Sequence, residues 1–115
     1  MQYMLLIYDN PADYTGDNAA VMADIMAGHM KLGADLHAAG IQFSGNQLRP
    51  TDTATTVRTA NGAQTLHDGP YAETHEQLGG YYLIDAPDLD AAIAWAKRIP
   101  AAARGAVEVR PIVQR

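Results

Sequence analysis

Residues 67–82, HDGPYAETHEQLGGYY, gather many of the side chains of this chain that could do chemistry: two histidines, three carboxylates and three tyrosines, with one proline and three glycines. Asp68-Gly69-Pro70 is first a turn, in which Asp bonds its own downstream backbone, Gly supplies φ freedom and Pro fixes the exit. Glu73, His75 and Glu76 fit a solvated face. A metal site built on His67, His75 and the nearby carboxylates lacks HExxH or any comparable ligand spacing, so no metal is expected. Ser44 is the only serine and has no GxSxG context, which removes the serine-nucleophile logic. With zero cysteines there is no thiol nucleophile, disulfide or cysteine-based zinc site. Gly79-Gly80 precedes a strand instead of following one, so neither a dinucleotide fingerprint nor a phosphate-binding loop is present.

A second set of groups lies outside this stretch. His29 falls near the middle of an apolar helical stripe of Met22, Ile25, Met26, Gly33 and Leu36, at about 100° per residue. It can be a core histidine with a backbone or carboxylate partner, or a general base or acid at the edge of a cavity. Arg58 lies in a hairpin. Glu108 and Arg110 share one parity of the last strand, opposite Val107 and Val109, and can pair with each other or hold a polar ligand. Tyr81 and Tyr82 point to opposite sheet faces. Arg58, Tyr82, Glu108 and Arg110 are the candidate substrate contacts.

The elements that must position these groups follow from periodicity. QYMLLIYD (2–9) is a strand apolar on both parities, with Tyr3, Leu5 and Ile7 on one face and Met4, Leu6 and Tyr8 on the other. NPADYTGD (10–17) is a loop, with Asp17 or Asn18 as N-cap of a helix running to about residue 39. Gly40 sits where a left-handed C-terminal residue is wanted. IQFSGNQL (41–48) is a weaker strand, and Asn61-Gly62 is a type I′ hairpin signal. GGYYLIDA (79–86) is again apolar on both parities. Asp88 caps a second helix whose inner stripe is Leu89, Ala92, Ile93, Ala96 and Ile99, with Lys97 and Arg98 in its last turn. AVEVRPIV (106–113) is the final strand.

The order β-α-β, hairpin, β-α-β predicts an α+β, ferredoxin-like split βαβ fold with an inserted β-hairpin, in a single domain over 1–115. Helices on one sheet face leave strands 2–8 and 81–84 apolar on the other. A second copy of the same sheet is the simplest cover, so a homodimer with sheets face to face is expected.

Composition narrows the partners. A net charge of -5, from 8 Lys+Arg against 13 Asp+Glu, disfavours nucleic-acid binding. No apolar run approaches the roughly 18 residues of a membrane span. The N-terminus reads as a strand and not as a signal peptide, and the absence of cysteine fits a cytoplasmic protein.

The string DGPYAETHEQLGGYYLIDAPDLDAAIAWAKRIP…GAVEVRPI closely resembles the YCII-related family, in particular its branch named for a DGPF motif. The likeness continues upstream through AAGIQFSGNQLRP, TTVRTANG and MQYMLLIY. Tyr71 stands where the motif usually has phenylalanine, and His75 where it usually has lysine, which removes a fixed positive charge. The resemblance implies a bacterial protein with a dimeric α+β barrel and no cofactor. It makes Asp68, Gly69, Pro70, Tyr71, Glu73 and Glu76 motif positions. It implies a histidine–aspartate active site, with Asp68 as the motif aspartate and His29 as its candidate partner. Relatives resemble muconolactone-isomerase-like enzymes, including one that eliminates chloride (a dehydrochlorinase), and members of this branch accompany extracytoplasmic-function sigma factors.

Three roles therefore stay open: an isomerase- or lyase-like acid–base enzyme on a small molecule in the cleft between the sheet and its partner subunit, a binding or sensing module using the same cleft and tied to a sigma-factor partner, and a structural dimer. In the first, Asp68 holds or charge-balances His29, which moves a proton while Arg58 or Arg110 stabilises negative charge.

Overall fold

The computed structural model describes residues 1–10 and 19–115. Among these residues, six strands and two α-helices follow in the order β1 (Gln2–Asp9), α1 (Ala19–Ala38), β2 (Phe43–Gln47), β3 (Thr55–Ala60), β4 (Ala63–Asp68), β5 (Gln77–Asp85), α2 (Leu89–Ala96) and β6 (Ala106–Pro111). Strands β2-β5-β1-β6 form one sheet and β3-β4 a second, two-stranded one. Every pairing is antiparallel. The chain is an α+β fold, and this strand order is consistent with the ferredoxin-like pattern. The expected cap of α1, Asp17 or Asn18, lies outside the described residues.

Local chemistry sets the element boundaries. After α1, Gly40 takes φ 71°, its N–H bonds to the His37 carbonyl at 3.0 Å, and the Ile41 N–H reaches back to the Leu36 carbonyl at 3.1 Å. Those two bonds form a Schellman motif, and Ile41 then packs onto the core. Asn61 and Gly62, with φ 53° and 78°, turn the β3–β4 hairpin. The Asp88 carboxylate accepts from the Ala91 N–H at 2.8 Å and starts α2, satisfying one of the orphan donors of the first turn.

α2 is shorter than its apolar stripe suggests. Pro100 excludes helical backbone from the residue before it, so Ile99 is extended, at φ -70° and ψ 130°. Ile99 is still buried, as are Ala92 and Ala96, whereas Leu89 at the first helical position remains 47% exposed. Lys97 is the C-cap instead of a last-turn residue. Just beyond it, Arg98 pairs with Asp35 of α1 and lies over the Trp95 ring, 5.1 Å from its centroid.

The core lies between the helices and one sheet face. Tyr3, Leu5 and Ile7 of β1 and Ile84 of β5 meet Leu32 and Leu36 of α1 and Ala92 and Ala96 of α2. Cross-strand register assigns the other face: Met4 opposes Leu83 and Arg110, and Leu6 opposes Tyr81 and Glu108. Met4, Leu6, Tyr8, Tyr81 and Leu83 are only partly buried there. The hairpin stands off this body. The Cα radius of gyration is 16.0 Å, against roughly 13 Å for a compact chain near this length.

Candidate functional site

One cavity of about 430 Å³ opens between α1 and the β2–β5 half of the sheet. Its volume lies within the range of small-molecule sites, roughly 300–1,000 Å³. Met22, Ile25, Met26 and His29 of α1 form one wall, Ile7, Gly45, Gly80 and Tyr82 line the sheet side, and the segment Leu48–Thr51 closes the rim. The helical stripe read from the sequence therefore faces a cavity as well as the core.

Two proton-active groups meet on this wall. The His29 Nδ1 lies 2.6 Å from the Tyr82 Oη, and the rings stack at 5.7 Å between centroids with 19° between planes. Burial lowers the His29 imidazole from its usual value and raises the Tyr82 phenol. In both cases desolvation disfavours the charged form, so near neutral pH the pair is a neutral imidazole and a neutral phenol.

Tyr82 reaches His29 because β2 carries no side chain beside it. Gly45 is its cross-strand partner, and a Cβ built on Gly45 would lie 3.0 Å from the Tyr82 ring and 2.6 Å from the Tyr81 carbonyl oxygen. The phenol ring occupies that space.

Sequence parity alone misplaces the polar end of the site. Between Ile7 and Tyr8 the β1–β5 register shifts, so Tyr8 pairs with Leu78 and Asp9 with Gln77. A bulge inserts one extra residue and re-aims everything beyond it. Gln77 is thereby brought to the cavity side with Asp9, where both line the wall. Its Oε1 is buried and finds no hydrogen-bond partner among the described residues. The available signal was Gly79-Gly80 inside a strand, a bulge marker.

The other candidates are distributed elsewhere. Asp68, the last residue of β4, borders a neighbouring hollow with Asp52, Gly69, Pro70 and Glu73. Thr51 and Gln77 line both spaces, but the ring partner of His29 is Tyr82. Gly69 follows with φ 125°, its N–H donating to the Ala54 carbonyl at 2.7 Å and its carbonyl accepting from Thr56 Oγ1 at 2.8 Å. These bonds tie the motif turn to the start of the hairpin.

Arg58 projects from the hairpin over the exposed Tyr71 ring, 4.8 Å from its centroid. Glu108 and Arg110 pair with each other, Nε to Oε2 at 2.7 Å, on the sheet face opposite the cavity. Glu73 and Glu76 are exposed, and the His75 Nε2 contacts the Asn10 Nδ2 at 3.1 Å. Of the four candidate substrate contacts, only Tyr82 joins His29. Among the described residues no group of three or more metal-ligating side chains is placed to hold a metal, and no helix is long and apolar enough to cross a membrane.

Fold and site together define a small α+β protein with an apolar cavity and a neutral imidazole–phenol pair on its wall. The YCII-related domain model matches residues 1–115, and the chain belongs to the YCII-related family. It is also similar to an uncharacterized protein of Rhizobium meliloti (strain 1021), 46% identical over 68 residues. That stretch is 57% of this chain and spans about half, 55%, of the relative.

Proposed function

We propose that this protein binds a small, largely apolar molecule between α1 and the sheet and performs cofactor-independent, isomerase- or lyase-like acid–base chemistry on it. The observation that carries this is the 2.6 Å contact between His29 and Tyr82 on the cavity wall. A half-buried imidazole held neutral is a competent base near neutral pH, and a neutral phenol beside it is a competent acid. The apolar side chains of Met22, Ile25 and Met26 hold the body of the ligand and exclude water. Gln77, whose buried oxygen has no partner among the described residues, accepts a hydrogen bond from a ligand hydroxyl or amide.

In this account Asp68 shapes the motif turn and the adjoining hollow. The Asp68-Gly69-Pro70-Tyr71 string is the ground for placing the chain in the DGPF-motif branch of its family. The working unit is a homodimer closed across the open sheet face into an α+β barrel, because Met4, Leu6 and Leu83 form an apolar patch there.

Ligand-observed NMR with cyclohexanone and p-cresol as probes tests the site. Saturation transfer is expected with the native protein and is lost in Ile25→Trp, whose indole fills the cavity. Equal transfer to both proteins would overturn the assignment. Binding without turnover would instead match an accessory or sensing module.

A further inference from the structure

A neutral imidazole has one donor and one acceptor nitrogen, and the partner of one fixes the role of the other. With Nδ1 tied to the Tyr82 hydroxyl, only two neutral arrangements exist. Either the phenol donates to Nδ1 and Nε2 carries the proton, or Nδ1–H donates to the phenol oxygen, leaving Nε2 bare and the phenol O–H free. The second arrangement leaves a base and an acid, joined by one hydrogen bond, on two residues that line the same cavity. The first is what remains after that base has taken a proton and that acid has given one.

Resting on the small-molecule site described above, we infer that His29 and Tyr82 form a tautomeric proton relay that shifts a hydrogen along a neutral β,γ-unsaturated ketone. In the forward half, Nε2 removes the α C–H proton and the electron pair becomes the enol double bond. The carbonyl oxygen takes the Tyr82 O–H proton while Nδ1–H passes to the phenol oxygen. In the return half the enol O–H proton goes back to the phenol oxygen. Tyr82 returns its other proton to Nδ1, and Nε2–H protonates the γ carbon. The product is the conjugated ketone, atoms and electrons balance, and the starting tautomer is restored with no co-reactant. Neither side chain becomes charged at either end of a half-reaction. That suits an apolar wall on which burial opposes both the imidazolium and the phenolate.

The relay makes a claim that an independent acid and base do not: the two residues act as one unit, so their losses do not multiply. Conversion of cyclohex-3-en-1-one to cyclohex-2-en-1-one, followed by ultraviolet absorbance, reads this directly. Tyr82→Phe, which keeps the ring, and His29→Gln, which keeps a polar side chain, are each expected to lose about 100-fold in rate, the lower end of general acid–base contributions. The double variant should lose no more than either single one. A double loss near the product of the two, or an unchanged rate in Tyr82→Phe, would overturn the relay. Cyclohexanone binding is measured on the same samples. Binding with no isomerisation by the native protein would sink the relay and leave the site standing, whereas absence of binding would remove both.

Discussion

His29 is held neutral by burial, and that has a measurable consequence for stability. Its imidazole is depressed in the folded state, so below its ordinary value of about 6.5 the unfolded chain binds the proton more readily. Stability should therefore fall as pH drops through that value, and level off once the folded form also protonates. Thermal melts at pH 8 and pH 5 should differ more for the native protein than for His29→Gln. Identical differences would contradict the desolvated site. Tyr82 gives the mirror image. Its raised phenol lets the unfolded chain ionise first above about pH 10, and stability declines there. Asp68 and Tyr82 also separate in binding. Tyr82→Phe should weaken cyclohexanone by about fivefold, the value of one ordinary hydrogen bond, while Asp68→Asn leaves the affinity unchanged. A loss confined to Asp68→Asn, measured by NMR titration, would return the site to a histidine–aspartate pair.

At the scale of elements, two glycines carry constraints that substitution exposes. Gly69, at φ 125°, occupies a region costing other residues about 1–3 kcal/mol. Gly69→Ala should lower the unfolding free energy by that amount in urea titrations, and an unchanged midpoint would contradict the turn geometry. Gly45→Ala acts through its neighbour. The new methyl must displace the Tyr82 ring or the β2 backbone, so ligand affinity should fall with little change in helix content by circular dichroism. Much of this architecture was legible in the sequence because its signals are local. Gly40, Asn61-Gly62 and Asp88 mark their turns and cap through interactions spanning a few residues, and two-sided apolar strands revealed the open face. The pairing of His29 with Tyr82, separated by 53 positions, depends on how α1 crosses the sheet and left no trace in spacing. Gln77 was hidden for another reason: alternation fails beyond a bulge. The early end of α2 follows from Pro100, whose effect on Ile99 overrides an apolar stripe that continues past it.

The whole molecule presents two faces of different character. The helix side encloses the core and the cavity, whereas the open face sets the apolar Met4, Leu6 and Leu83 beside the Glu108–Arg110 ion pair. A charge placed at the centre of that face would be desolvated in the proposed dimer. Sedimentation of the native protein should report a dimer at micromolar concentration, and Leu6→Glu a monomer. A native monomer would contradict the barrel, leaving the cavity of each chain intact. The most direct test of the central claim is a crystal structure of the protein soaked with cyclohexanone. The account predicts the ring between Met22, Ile25 and Met26, with its carbonyl oxygen in hydrogen-bond reach of the Tyr82 Oη. A probe seated instead in the hollow beside Asp68, or on the open sheet face, would contradict it.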